Sequence, residues 1–258
     1  MPAISSTIYF VSGANRGLGL SLVSCILDTH ETAFVYAGAR EPEKSDALKA
    51  LEIKYPGRMS IIKYVAADST ANAAFAKAVE ERHGHLDTVI ANAGIWNTTA
   101  NVAEVGVAAM EEHFHVNVMG TIVLFQSVQD LLKKSAAPRF ITISTVVSCI
   151  GGIMVTLPVG SVAYGASKAA LNWVTRKIHF ENEWLTAFPL SPRPIATDML
   201  HYSISADTSG WMKKWVELNP DAPSVADVAV TVLQIVDEST REKDGGEFRH
   251  SEGKEIPW

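Results

Sequence analysis

The chain reads as a single α/β domain, residues 1–258, built on a doubly wound parallel sheet of about seven strands flanked by helices. Three observations carry that expectation. Short β-branched and aromatic runs alternate with longer segments of helical periodicity from end to end, a pattern whose compact solution is a parallel sheet with right-handed crossovers. The first strand runs into a glycine-rich turn that itself opens a helix. No internal repeat, low-complexity tract or long linker marks a second unit.

Composition narrows the function classes. A 258-residue chain with 47% hydrophobic and 19% charged residues buries a substantial core and is not disordered. The net charge of −6 comes without any basic run, which argues against nucleic acid and against an anionic membrane surface as partners. No run of eighteen apolar residues predicts a membrane helix, and the first six residues, MPAISS, lack the basic and apolar regions of a signal peptide. Cytoplasm is the expected location. Cys25 and Cys149 fall in apolar segments and are expected as reduced interior thiols. No metal is expected.

Residues 7–12 (TIYFVS) form the first strand and stop at Gly13, Ala14, Asn15, Arg16, Gly17, Leu18 and Gly19. Leu20, Leu22, Val23, Ile26 and Leu27 then recur at helical spacing. In that context glycines let the backbone approach a pyrophosphate, and the helix N-terminus offers it free N–H groups. The spacing is G-x3-G-x-G rather than G-x-G-x2-G. A second strand, 33–39, ends at Arg40, where an acidic residue would grip the ribose 2′-hydroxyl of NAD. None stands there. Arg40 and Arg16 instead make a pair suited to a 2′-phosphate, which favours NADP(H); a solvated Arg40 is the plain alternative.

A helix over 43–54 leads to a strand over 59–66, and Asp68 either caps a helix over 70–82 or meets an adenine amino group. Residues 86–91 form a fourth strand closed by Asn92, Ala93 and Gly94. Helical pattern then runs from about 107 to 134, interrupted near Asn117, an amide that predicts a kink or a bound water unless it faces solvent. A fifth strand, 139–143, ends at Ser144 and Thr145, and an irregular loop carrying Ser148 leads to the next helix. Beyond it come a strand over 185–190, the run Pro192, Arg193, Pro194, Ile195, Ala196, Thr197, an irregular aromatic segment over 200–220, a helix over 224–237 and a last strand near 247–249.

At the head of the sixth helical segment stand Tyr164 and Lys168. Residues four apart share a helix face, so a phenol and an ammonium occupy one small volume there. A cation about 4 Å away at an effective dielectric near 20 is worth about 4 kcal/mol, enough to bring a phenol of ordinary pKa near ~10 into working range. A core tyrosine beside a solvated lysine is the plain alternative.

The ordered set Ser12-Gly13-x3-Gly17-x-Gly19, Asp68, Asn92-Ala93-Gly94, Asn117, Ser144-Thr145, Tyr164-x3-Lys168 and Pro192 to Thr197 resembles the short-chain dehydrogenase/reductase family over nearly the whole chain. The C-terminal half, notably 176–188 and the ending Ile256, Pro257, Trp258, is similar to fungal polyketide ketoreductases. The resemblance implies the Rossmann form of the sheet, NADP(H), and reduction of a ketone, an aromatic or polyketide intermediate, to a secondary alcohol. By position it implies Tyr164 as proton donor, Lys168 as the group that lowers its pKa and binds the nicotinamide ribose, and Asn117 as holder of a relay water. It places Gly13, Arg16, Gly17, Leu18 and Gly19 along the pyrophosphate, Asp68 at the adenine, Asn92 and Gly94 at the adenosine ribose, and Ile195 and Thr197 at the nicotinamide carboxamide. Thr145 stands where the family has a second serine, so Ser144, Thr145 and Ser148 all remain candidates for orienting the carbonyl. Pro192-Arg193-Pro194 departs from the family's Pro-Gly and restricts the backbone beside the nicotinamide. Residues 198–220 are expected as a substrate lid or as a plain amphipathic cover. An alcohol dehydrogenase running oxidatively and a catalytically weakened nucleotide-binding regulator are the rivals. The family commonly forms homodimers or homotetramers.

Overall fold

A computed structural model gives the fold, and the structure describes residues 6–220 and 222–258; residues 1–5, part of the stretch read for a signal peptide, lie outside the described residues. In chain order the elements are β1 Ile8–Ser12, α1 Gly17–Thr29, β2 Phe34–Ala39, α2 Asp46–Lys54, β3 Met59–Lys63, α3 Ser69–Arg82, β4 Thr88–Ala91, α4 Val107–Phe114, α5 Gly120–Leu132, β5 Arg139–Ile143, α6 Val162–Glu181, β6 Thr186–Ser191, α7 Asp198–Ala206, α8 Trp211–Leu218, α9 Val225–Glu238, α10 Arg241–Asp244 and β7 Arg249–His250.

The seven strands form one parallel sheet in the order β3-β2-β1-β4-β5-β6-β7. Both faces are covered, so the strands read as continuous apolar runs rather than alternating ones. Tyr9 and Val11 of β1 pack with Leu22, Ile26, Val232 and Val236 of α1 and α9. Ile8 and Phe10 point the other way, onto Phe75, Val79, Leu124, Val128 and Ile178 of α3, α5 and α6. Strand order reverses between β1 and β4, and a crevice opens past the carboxyl ends of strands at such a switch point.

Several boundaries differ from the sequence reading. The third strand ends at Lys63, not 66, because its partner β2 ends at Ala39, whose carbonyl takes the Tyr64 N–H at 2.9 Å. The chain then turns through Ala67, held at φ 61°. The last strand is Arg249–His250, paired with Leu190 and Ser191. The segment expected to be irregular over 200–220 is largely two helices, α7 and α8. The Thr197 hydroxyl accepts the Leu200 N–H and starts the first, and Gly210, at φ 73°, turns the chain into the second. The interruption expected near Asn117 is a π turn over His115–Met119, joining α4 to α5. Among the described residues no helix is long and apolar enough to cross a membrane. Cys25 and Cys149 are free; the second is buried and the first half-buried.

Candidate active site

The glycine loop is shaped from β4. Ser12 Oγ accepts the N–H groups of Asn92 and Ala93 at 3.0 and 2.9 Å, and Asn92 Nδ2 donates to the carbonyls of Ser12 and Gly13 at 3.0 and 3.2 Å. Gly13 adopts φ +64°, a conformation that side chains resist. A Cβ at Gly19 would run into the Gly13 carbonyl and come within 2.6 Å of Asn92 Nδ2. No side chain caps the N-terminus of α1, so the N–H groups of its first turn stay free for an anion. This cradle, open only because its residues are glycines, fits a dinucleotide pyrophosphate.

The two arginines part company. Arg16 Nη1 pairs with Asp198 Oδ2 at 2.6 Å, tying the glycine loop to the start of α7. The Thr197 methyl lies over Gly17, 3.4 Å from where a Cβ would stand. Arg40 is exposed at the end of β2. Asp68 caps α3, its Oδ1 taking the Ala71 N–H at 2.9 Å.

Tyr164 and Lys168 share one face of α6, with Lys168 Nζ 6.0 Å from the phenol ring centroid. Both are buried, 7% and 4% exposed. Lys168 Nζ donates to the Ile143 carbonyl at the end of β5, at 2.7 Å, leaving two of its protons for other acceptors. Burial lowers its pKa to about 8. Burial also pushes the Tyr164 phenol well above its ordinary range, and the Thr145 hydroxyl pulls it part of the way back. The depression expected from Lys168 is therefore not the governing effect in the chain by itself: loss of water outweighs an ammonium whose own charge is disfavoured by the same burial.

Asn117 faces inward. It is fully buried, accepts the Ile95 N–H on Oδ1 at 2.8 Å, and donates from Nδ2 to the Ile95 carbonyl at 3.1 Å and to Ser167 Oγ at 2.9 Å. Ser167 Oγ in turn donates to the Tyr164 carbonyl at 2.8 Å. A Cβ at Gly94 would stand 3.1 Å from Asn117 Oδ1 and 3.2 Å from Lys168 Nζ, so the β4 terminus, the π turn and α6 meet at one point.

The three hydroxyl candidates separate. Ser144 Oγ donates to Asn172 Oδ1 at 2.5 Å, Asn172 Nδ2 donates to Ser148 Oγ at 2.8 Å, and Ser148 Oγ donates to the Thr145 carbonyl at 2.6 Å. Ser144 and Ser148 are consumed in this buried network, whereas the Thr145 hydroxyl accepts the Val147 N–H at 3.2 Å and lies near enough to the phenol to draw its pKa down. Arg193 is exposed and sits outside the left-handed region. Its N–H meets Ser251 Oγ at 3.2 Å and its guanidinium meets Glu252 at 3.3 Å, so the loop after β7 holds a backbone that needs no glycine. Ile195 is buried beside it.

Four contributors escaped the sequence reading as site residues: Ser12, Ser167, Asn172 and Trp96. The Trp96 indole stacks on the Tyr164 ring, centroids 4.6 Å apart and planes 8° from parallel. Its sequence signal is only its place two residues after Gly94. Among the described residues no group of three His, Cys, Asp or Glu gathers as for a metal ion.

The sequence profile described as short chain dehydrogenase matches residues 7–207. The norsolorinic acid ketoreductase of Aspergillus parasiticus is 32% identical, the alignment covering 98% of this chain and 91% of that protein. The norsolorinic acid ketoreductase nor1 of Dothistroma septosporum is 29% identical over 98% and 92% of the two chains. Among solved structures, the NADPH-bound carbonyl reductase from chicken fatty liver superposes with a TM-score of 0.85 at 26% identity, over 99% of this chain and 100% of that one.

Proposed function

The chain belongs to the short-chain dehydrogenase family, and from that premise we propose that it is an NADP(H)-dependent ketoreductase, reducing an aromatic or polyketide ketone to a secondary alcohol. As a family member it is an oxidoreductase of carbonyl and CH–OH groups. The observation that carries the finer reading is the meeting of Tyr164, Lys168, Thr145 and Asn117 beside an open glycine cradle at the carboxyl ends of β1, β4 and β5. The similarity to norsolorinic acid ketoreductases supports the substrate class.

When bound, the reduced nicotinamide supplies the hydride. The protein's own part is acid catalysis and orientation. Tyr164 Oη donates its proton to the ketone oxygen as negative charge develops there, and the Thr145 hydroxyl holds that oxygen in place. Lys168 uses its two free protons on the nicotinamide ribose, and Asn117 fixes α6 against β4 and holds the relay water. Gly13, Gly17, Leu18 and Gly19 line the pyrophosphate, Asn92 and Gly94 border the adenosine ribose, and Asp68 reaches the adenine beside its capping role. Arg40 meets the 2′-phosphate, with Arg16 joining it once released from Asp198. Ile195 and Thr197 orient the carboxamide. Burial keeps the Tyr164 phenol protonated at neutral pH, the form in which it donates to a ketone oxygen.

Residues 198–220, as α7 and α8, act as the lid within a single domain, fastened by Arg16 to Asp198 and by Tyr202 Oη, which donates to the Asn97 carbonyl at 2.8 Å. We place the protein in the cytoplasm as a homodimer or homotetramer, with exposed Val107, Met119, Trp173 and Phe180 on the α4 to α6 side as the apolar surface to be covered.

Fluorescence titration with NADPH and NADH, followed by a ketone panel under the tighter cofactor, tests this reading. NADPH is expected to bind at least tenfold more tightly, and Tyr164→Phe to keep that affinity while losing about 10²-fold or more in turnover. Tighter NADH, or undiminished turnover in Tyr164→Phe, refutes it.

A further inference from the structure

Helix α6 is joined to the end of β5 by a row of buried polar contacts. Tyr164, Lys168, Asn172 and Thr175 recur at helical spacing on one face, and each is at most 7% exposed. Lys168 Nζ reaches the Ile143 carbonyl, and the hydroxyls of Thr175 and Thr142 meet at 2.9 Å. Between these two contacts Asn172 engages one short turn with both ends of its amide. Its Oδ1 takes the Ser144 hydroxyl at 2.5 Å, and its Nδ2 donates to Ser148 Oγ at 2.8 Å. The two serines stand on either side of Thr145, and Ser148 closes on the Thr145 carbonyl through its N–H at 3.0 Å and its hydroxyl at 2.6 Å. The same turn rests on α6 one residue past Tyr164, where a Cβ at Gly165 would stand 3.2 Å from the Val147 carbonyl oxygen. An amide in a buried helix interior has poor propensity and is unfavourable unless it is paired; a leucine of similar volume carries neither penalty. What the amide adds is a fixed spacing between α6 and the backbone that carries Thr145.

We propose that Asn172 is a positioning residue for carbonyl reduction: by holding Ser144 and Ser148 against α6 it sets the Thr145 hydroxyl beside the Tyr164 phenol. Asn172 acts through the turn and not on the reacting atoms. Without the brace the turn keeps its own bond from the Val147 N–H to Thr145 Oγ1, but its height along α6 is no longer fixed, and the hydroxyl moves relative to the phenol. A displacement of about 1 Å is enough to slow a reaction on the order of 10²-fold. The inference rests on the ketoreductase reading for what Thr145 does to a ketone, but not for how its hydroxyl is held.

The test is a double-mutant cycle in turnover of 1-tetralone with NADPH. Thr145→Ala should lower the parental kcat about 10²-fold. Asn172→Leu should lower kcat at least tenfold and leave NADPH affinity near the parental value. In that background Thr145→Ala should cost less than about threefold, because the hydroxyl it removes is already out of place. Ser148→Ala, which cuts one limb of the brace with little change of volume, should act the same way at smaller amplitude, and it decides the matter if the leucine variant does not fold. Thr175→Val cuts a neighbouring contact of the same row; it should lower the melting temperature and leave kcat near parental. A Thr145→Ala effect of equal size in both backgrounds overturns the proposal, and so does a kcat that falls as far in Thr175→Val as in Asn172→Leu. A second readout needs no turnover: the ¹³Cζ resonance of Tyr164, identified by its loss in Tyr164→Phe, should shift in Asn172→Leu in the same direction as in Thr145→Ala. If the parent reduces no ketone, or Thr145→Ala leaves kcat unchanged, the ketoreductase reading or its use of Thr145 falls, and this resonance alone decides for Asn172: the common shift upholds the brace, and a resonance unmoved in Asn172→Leu overturns it.

Discussion

Replacing Asn117 by Ala removes the clamp between β4 and α6, and its cost follows from the bonds it breaks. Three side-chain hydrogen bonds disappear, two to Ile95 and one to Ser167. Each contributes about 0.5–1.5 kcal/mol net, and more where the abandoned partner stays buried. Asn117 itself is fully buried and Ser167 is as well, so water replaces none of the lost contacts cheaply. The sum is about 2–4 kcal/mol. At roughly 2–4 °C per kcal/mol for a chain of this size, the melting temperature should fall by about 5–15 °C. Asn117→Asp should lose a comparable amount, because an oxygen then faces the Ile95 carbonyl where an amide donated. Trp96, one residue beyond the clamp, should report the loosening as a change in tryptophan fluorescence, and turnover should drop at least tenfold as Tyr164 loses its backing through Ser167. Thermal denaturation by circular dichroism gives the first number. An Asn117→Ala protein melting within about 1 °C of its parent would refute the clamp.

Two further perturbations test the site's electrostatics and its cradle. A lysine at 10.5 when unfolded and about 8 when folded binds fewer protons in the native state between those values. The cost of burying its charge is therefore full below pH 8 and is relieved as pH rises from 8 to 10.5; at 1.36 kcal/mol per unit it amounts to about 3 kcal/mol. Lys168→Met should accordingly be the more stable protein at pH 7 without cofactor, by an amount that shrinks toward pH 10, in urea denaturation at both ends of the window; a pH-independent difference would contradict the assignment. Gly19→Ala, whose methyl collides with the Gly13 carbonyl and Asn92, should destabilise the fold by about 2 kcal/mol or more and weaken NADPH binding at least a hundredfold. Gly106→Ala, where a Cβ meets nothing within 4 Å, should change neither, and equal effects of the two would show that the cradle is not tight.

The order of elements and the parallel sheet were legible in the sequence because they depend on local periodicity, and each strand or helix signals its own kind. Strand ends were less so: β3 stops where β2 stops, which is a property of the pair. Likewise the 200–220 segment hides two helices of only eight or nine residues, too short to announce themselves by periodicity and stabilised by the caps and contacts they find on folding.

Within the site, residue types at fixed spacing named Tyr164, Lys168, Asn117 and the glycines, since four residues on a helix or three glycines in a turn constrain their own geometry. Spacing could not rank Ser144, Thr145 and Ser148, because the outcome depends on Asn172 of α6, which engages two of them and leaves the Thr145 hydroxyl outside that network. Nor could it show that Arg16 pairs with Asp198, 182 residues away, or that an indole lies flat on Tyr164. What the sequence supplied by itself was a set of candidate groups for the proposed chemistry. Which of them face one another, and how far burial moves their protons, was decided by tertiary packing, because water is removed and partners are supplied only when distant segments close on the same few cubic ångströms.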